Sequence, residues 1–415
     1  MNSKRLISTA LLVLLFVCTL FTVSCEKAGG EEITLYVYNW GEYISDGSED
    51  SLDVNRAFEE YCRDTLGLNV VVNYSTYSSN EDMYAKISSG AASYDVIIPS
   101  DYMIQRMISE DMLLPLDLSL IPNYEYILDD FKGDKVYYEP KDGNVYSVPY
   151  AYGMIGIIYN TSIVSDPNHP TLGSWELMWD ESFKGDILQF NNSRDAFGTA
   201  LYSMGYDVNE ATEEQWNEAL QKLKLQKDLV QGYVMDEIFN KMKSGSAAVA
   251  AYYAGDFLSM YEDNPDLAFY YPSEGTNIYV DAMCVPKNAP NSRLAMEYIN
   301  FMCSEEIAVA NAEYHYYASP NELVLNNAEY VEYMQSVHED AMEILYQSGN
   351  EIKTIAYLNL TSERLVMLNS LWEELKVEST IGDGIYVCCG VILAALTALA
   401  VMNFLRKRRW AKLYD

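Results

Sequence analysis

Between Ile33 and Ser100 the chain switches repeatedly between two hydrophobic periods, and few architectures tolerate that order. Ile33, Leu35 and Val37 alternate as in a strand running to about Tyr38. From Glu49 to Thr65 the apolar positions are Val54, Phe58, Tyr61 and Cys62, which is helical spacing. Leu68 to Tyr74 is β-branched and strand-like. Asn80 is placed to cap a helix beginning at Glu81-Asp82-Met83, with Gly90 ending it, and Tyr94 to Ile98 is a third strand closed by Pro99-Ser100. Strand, helix, strand, helix, strand at this spacing predicts an α/β fold with a mostly parallel sheet covered by helices.

Ligands of such sheets lie beyond the carboxyl ends of the strands. The first strand ends in YNWGEYI, which supplies an indole (Trp40), a turn glycine (Gly41), a carboxylate (Glu42) and a phenol (Tyr43). The third ends at Ser100, Asp101 and Tyr102. Aromatic faces beside a carboxylate attract an organic cation through ring quadrupole and charge. The expectation is a cleft that captures a small amine outside the cell.

Charge and compartment agree with that. Residues 26–380 carry 20 basic against 59 acidic side chains, so nothing there neutralises a phosphate backbone and nucleic acid is disfavoured as a partner. Most of these acids read as a solvated surface, with some steering cations toward a cleft. Lys4 and Arg5, then an apolar stretch from about Leu6 to Val23, read as an export signal over 1–25. Its end, Thr22-Val23-Ser24-Cys25, resembles the lipobox of bacterial lipoproteins, in which the cysteine is acylated; Thr22 departs from the usual leucine. Ordinary cleavage and an uncleaved anchor stay open as alternatives. Cys62, Cys284 and Cys303 have no metal-ligand spacing, so no metal site, cofactor or essential disulfide is expected.

After a polar tether at 26–32, SVPYAYGMIGIIYN from Ser147 reads as a crossing into a second lobe, broken by Pro149 and Gly153. Trp175 and Trp179 share a helical face and read as core. Thr212 and Gln215 form a capping box for the helix carrying Trp216, Leu220 and Leu223. Leu294 to Ala312 reads as one helix, Tyr316 to Asn321 as a phenol-rich turn, and Ser362 to Val377 as a last helix. A linker at 377–384 leads to Ile385–Leu405, 21 uncharged residues. At about 1.5 Å per residue that run matches the ~30 Å of a bilayer core. Arg406-Lys407-Arg408-Arg409 then place the tail, 406–415, in the cytoplasm.

Together YNWGEYI, STYSSNEDMYAKI, YDVIIPSDY, YSVPYAYG, SWELMWDESFKGDIL, IYVDA and YASPN resemble the spermidine/putrescine-binding proteins of polyamine ABC transporters, over roughly residues 33–376. The resemblance implies a two-lobed periplasmic-binding-protein fold with hinged lobes, 33–149 with 281–327 and 150–280 with 328–376. It implies a polyamine ligand and, as partners, ABC permease subunits with a cytoplasmic ATPase. By motif, the implied ligand residues are Trp40, Glu42, Tyr43, Ser100, Asp101, Tyr102, Asn192, Asp195, Tyr253, Tyr279, Asp281 and Tyr317. Two departures stand out. Asn192 falls where the family has an acid, and Tyr253 and Tyr279 where it has tryptophans. Losing that acid leans toward a diamine over a triamine, unless Asp101 compensates. A late family glutamine has no clear counterpart; the nearest segment is Ala356-Tyr357-Leu358-Asn359.

Two other classes remain at this level. A ligand-sensing ectodomain reporting to a separate membrane protein would also use the C-terminal apolar run. An enzyme is disfavoured, since His169, His315 and His338 are scattered and no nucleophile, phosphate-loop or zinc motif occurs.

Overall fold

The computed structural model describes residues 31–48, 51–347 and 352–377, together with positions 397 and 402. The export signal, Cys25, most of the tether, the linker beyond 377, the remaining positions of the 385–405 run and the basic tail lie outside the described residues. Among the described residues no helix is long and apolar enough to cross a membrane.

Ten strands form one continuous sheet: β1 (Ile33–Trp40), β2 (Val70–Tyr77), β3 (Val96–Ile97), β4 (Ser147–Asn160), β5 (Ile187–Phe190), β6 (Val230–Val234), β7 (Val249–Tyr253), β8 (Leu267–Tyr270), β9 (Thr276–Cys284) and β10 (Thr354–Ala356). Their order is β2-β1-β3-β9-β4-β7-β5-β6, with β10 beside β9 and β8 beside β4. Parallel pairing holds for β2-β1-β3 and for β6-β5-β7. The two middle strands, β4 and β9, pair antiparallel with each other, and each also runs antiparallel to its other lobe neighbour.

β4 joins the two lobes. Its first half, to Met154, pairs with β9, and from Ile155 onward it pairs with β7 and β8. The run is therefore not broken at Pro149 and Gly153. Proline has no N–H to give the ladder, so the register shifts by a bulge between Pro149 and Ala151 and the strand continues. Gly153 faces Tyr279, whose ring fills the space a side chain would take.

Each lobe has its own apolar core. In the first, alternate residues of β1 feed opposite faces of the sheet. Leu35 and Val37 pack with Val54 and Phe58 of helix α1 (Val54–Tyr61), while Tyr38 packs with Tyr77, Met83 and Met103. The second core gathers Trp175, Phe190, Phe197, Trp216, Leu220 and Phe257, and recruits Leu368 and Leu371 from the last helix. Trp175 is fully buried and Trp179 partly so, on a 3-10 turn rather than an α-helix. Their indole N–H groups donate to Gly275 O and Lys222 O at 2.8 and 2.9 Å. The capping box at Thr212 and Gln215 is present.

Three local readings are corrected. Ser79, not Asn80, caps α2 (Asn80–Ser88), accepting from Asp82 N at 3.1 Å, which releases the Asn80 side chain for other bonds. The third strand has only two residues, because Pro99 and Ser100 turn the chain into α3 (Asp101–Ser109). Leu294–Ala312 is two helices, Ser292–Met302 and Glu305–His315. The chain extends at Ser304, and Asn321 Nδ2 donates to Cys303 O at 2.8 Å, taking a carbonyl that a continuous helix would use.

Candidate functional site

All twelve residues singled out in the sequence line one cleft of about 120 Å³ between the lobes. The way they arrive there is repetitive. Chain leaving a strand turns directly into a helix, and the first turn of that helix carries an aspartate. Asp101 opens α3, Asp195 lies in the first turn of α4 (Ser193–Ser203), and Asp256 lies in the first turn of α5 (Ala254–Asp263). Helix N-termini are partially positive and favour anions. Carboxylates placed there gain from the dipole and reverse the sign of the site, which suits it to a cation.

β9 supplies the centre. Asp281 is buried and accepts from Tyr43 OH at 2.7 Å on one oxygen and from Ser100 Oγ at 2.6 Å on the other. Ser100 is in turn held by Asn80, which donates to Ser100 Oγ (3.0 Å) and Tyr102 OH (3.1 Å) and accepts from Ser100 N (3.1 Å). Tyr102 OH donates to Glu81 at 3.1 Å. Burial pushes Asp281 up to about 6, against the pull of its two hydrogen bonds and with a further push from Asp195.

From the second lobe, Asn192 caps α4 and spends both ends of its amide on one residue. Its Oδ1 accepts from Asp195 N at 2.8 Å and its Nδ2 donates to Asp195 Oδ2 at 2.7 Å. Tyr253 OH donates to the same oxygen at 2.8 Å. An acid at 192 would cap the helix equally well but would repel Asp195 instead of holding it. Burial still raises Asp195 above the usual carboxylate range.

The walls are aromatic. Trp40 Nε1 donates to Ile98 O at 2.9 Å, which fixes the indole, and its ring lies 4.6 Å from that of Tyr77. Tyr253 and Tyr279 meet edge to face at 5.3 Å, and Tyr317 lies 5.1 Å from Tyr43 in the same manner. Glu42 sits exposed at the rim on a left-handed residue, φ +51°. Asp101 spends its carboxylate inside the first lobe, on Val280 N (3.1 Å), Tyr102 N (2.6 Å) and the Tyr137 hydroxyl. It is placed to organise the wall rather than to replace the acid missing at 192.

Sequence reasoning missed several lining groups. Asp256 accepts from Tyr317 OH at 2.8 Å, and burial raises it to about 7. Its signal was available: Asp256 follows Tyr253 at the same offset by which Asp195 follows its cap, Asn192. Asn80, which the sequence places as a helix cap, lines the cleft and holds Ser100. Tyr357, from the segment where no glutamine was found, lines the cleft with its hydroxyl toward Arg194 O at 3.3 Å. In all, seven acidic residues (Glu42, Glu81, Asp101, Asp195, Asp236, Asp256, Asp281) and ten aromatic residues line the cleft, against the single arginine Arg194. No group of acids, histidines and cysteines able to hold a metal occurs among the described residues.

Residues 56–336 match the model of the bacterial extracellular solute-binding protein family. A spermidine/putrescine-binding periplasmic protein of Salmonella typhimurium is 30% identical over 290 residues, 69% of this chain and 78% of its own length. A putrescine/cadaverine-binding protein of Pseudomonas aeruginosa is 27% identical over 386 residues, 88% of this chain and 99% of its own. Among solved structures, the substrate-binding protein of a spermidine/putrescine ABC transporter from Streptococcus pneumoniae superposes with a TM-score of 0.65 at 30% identity, covering 83% of this chain and 99% of that one. These relatives are binding proteins and not enzymes. With its two-lobed α/β periplasmic-binding-protein fold and a match over two thirds of its length, the chain belongs to the bacterial extracellular solute-binding proteins.

Proposed function

We propose that the chain binds a short polyamine outside the cytoplasm and delivers it to an ABC importer. One observation carries this reading: seven acidic residues and ten aromatic residues line a cleft that holds one cationic side chain, and the carboxylate of Asp101 is turned away from it. An alkyl ammonium needs an acidic partner once desolvated, since losing its water without one is strongly unfavourable. Asp281, Asp195 and Asp256 provide such partners, from both lobes. The methylene stem needs flat apolar walls, which Trp40, Tyr43, Tyr253 and Tyr279 provide, each ring contributing about 0.5–2 kcal/mol to a cation on its face.

Putrescine and spermidine are the ligands, with a lean to the diamine because Asn192 is neutral and Asp101 is turned inward. The relatives' roles in polyamine ABC transport favour permease and ATPase partners over a sensing ectodomain. Acylated Cys25 and the 385–405 run hold the domain at the membrane in this reading, which rests on the sequence alone. Calorimetric titration of the purified chain with putrescine, spermidine and glutamate tests it. Heat from the amines alone is the expected result, and uptake of glutamate with indifference to both amines overturns it. A mass spectrum of the membrane-bound protein tests the anchor, and an unmodified Cys25 peptide refutes acylation.

A further inference from the structure

Arg194 is an unexpected occupant of a cleft built for cations. It is 9% exposed, and its guanidinium carbon lies 4.3 Å from the ring centre of Tyr102 and 4.9 Å from that of Tyr357. Nη2 donates to Leu358 O at 2.7 Å. Tyr102 comes from α3 of the first lobe, Arg194 from α4 of the second, and Tyr357 from the segment after β10. That segment is pinned to α3 by Asn359 N donating to Gln105 Oε1 at 2.7 Å. Two phenol rings facing one space make a seat for an organic cation. Here the protein's own cation has taken it.

We propose that Arg194 sets the length of amine the cleft accepts, by filling the Tyr102–Tyr357 seat and repelling any further ammonium placed there. This rests on the polyamine reading and adds a specificity role for one residue. The surroundings agree. Asn192, the cap of the same helix, is a neutral amide and offers no negative charge, and both ends of that amide are engaged by Asp195. The acids that act on Tyr102 are Glu81 and Asp195, and the guanidinium already offsets part of their charge. Asp281 and Asp256 remain as partners for an amine with two charged ends, whereas the charge of Asp195 is already offset in part by the guanidinium. A third ammonium extended toward it meets a like charge in a poorly solvated space, where repulsion is screened far less than in water.

The test compares putrescine and spermidine on the full chain and on three variants. Arg194→Gln removes the charge and keeps a planar, donating group on a shorter stem. Arg194→Ala also opens the space, and Arg194→Lys keeps the charge. Wild-type protein and Arg194→Lys are expected to bind putrescine more tightly than spermidine. In Arg194→Gln and Arg194→Ala the ratio of the two dissociation constants should move about tenfold or more toward spermidine. Melting curves check that each variant is folded. A ratio unmoved in the neutral variants, with both affinities falling together, overturns the proposal and leaves Arg194 as a prop for Asp195. So does a wild-type protein that binds spermidine at least as tightly as putrescine. If wild-type protein binds neither amine, the polyamine reading itself falls, and that outcome is distinct from an unmoved ratio.

Discussion

Tyr43 OH donates to Asp281 Oδ2 at 2.7 Å, joining the end of the first strand to a residue 238 positions later in the chain. The bond fixes where the carboxylate points, and Ser100 Oγ fixes its other oxygen at 2.6 Å. Asp281→Asn keeps the shape and removes the charge. Amine binding should weaken by about 2–5 kcal/mol, the range for losing one side of a buried charge pair. Tyr43→Phe removes only the aiming hydrogen bond and should cost about 1 kcal/mol. Titration calorimetry with putrescine reads both, and an Asp281→Asn protein with unchanged affinity would remove this residue from the site.

Asp256 gives an independent check, since geometry rather than motif points to it. Its partner Tyr317 OH, at 2.8 Å, also stands beside Tyr43 and Tyr279, so the acid bears on the same volume as Asp281. Asp256→Asn should lower affinity for putrescine at least tenfold, or about 1.4 kcal/mol. The change in melting temperature should be small, because the amide still accepts from the tyrosine. A variant that binds normally would show that Asp256 supports only the Tyr317 wall.

What could be read from the sequence follows a physical division. Trp40, Tyr43 and Ser100 stand out because strand ends are short, punctuated by glycine or proline, and carry residues a strand core has no use for; Asp281 lies inside β9 and was legible only through the IYVDA resemblance. The two-period alternation over 33–98 identified the first lobe's layers for the same reason. Contacts closed by distant chain left no local trace. Asn80 looks like a cap and is one residue out of register with that role, since Ser79 has the better position. Arg194 and Tyr357 meet only because β10 brings a late segment back across β9. The helix read over Leu294–Ala312 divides at Ser304 because Asn321, 17 positions later, takes the Cys303 carbonyl, and no periodicity in the helix reveals that.

Proton linkage should be measurable. Asp281 is raised to about 6 and Asp256 and Asp101 to about 7, in each case first by burial, and Asp195 is raised as well. A carboxyl raised on folding binds its proton more tightly when folded than when unfolded. Its stabilising contribution is therefore complete below the unfolded value near 3.8 and is lost as pH rises through about 6 to 7. The ligand-free protein should lose melting temperature across that window. An amine prefers the ionised carboxylates, so affinity should rise over the same interval, and binding at about pH 6 should release protons. Titrations at that pH in buffers of different ionisation enthalpy should then give different heats. Heats independent of buffer would show the carboxylates already ionised in the empty cleft.

The two glycines of β4 separate binding from folding. A Cβ on Gly153 would come within 2.6 Å of the Tyr279 hydroxyl and 3.0 Å of its Cζ. Those atoms are the far end of a side chain, so Gly153→Ala should push the ring toward the cleft, weakening putrescine binding while the fold survives. A Cβ on Gly156 would meet the Phe269 ring at 2.2 Å and the Tyr270 carbonyl at 2.6 Å. The second of these is backbone in the paired strand β8 and cannot swing aside, so Gly156→Ala should cost stability, about 1–3 kcal/mol as in other overpacked cores. Thermal melts and calorimetry on both variants read the contrast. If Gly153→Ala melts early and binds normally, Tyr279 is a packing residue of the strand crossing and not a wall of the site.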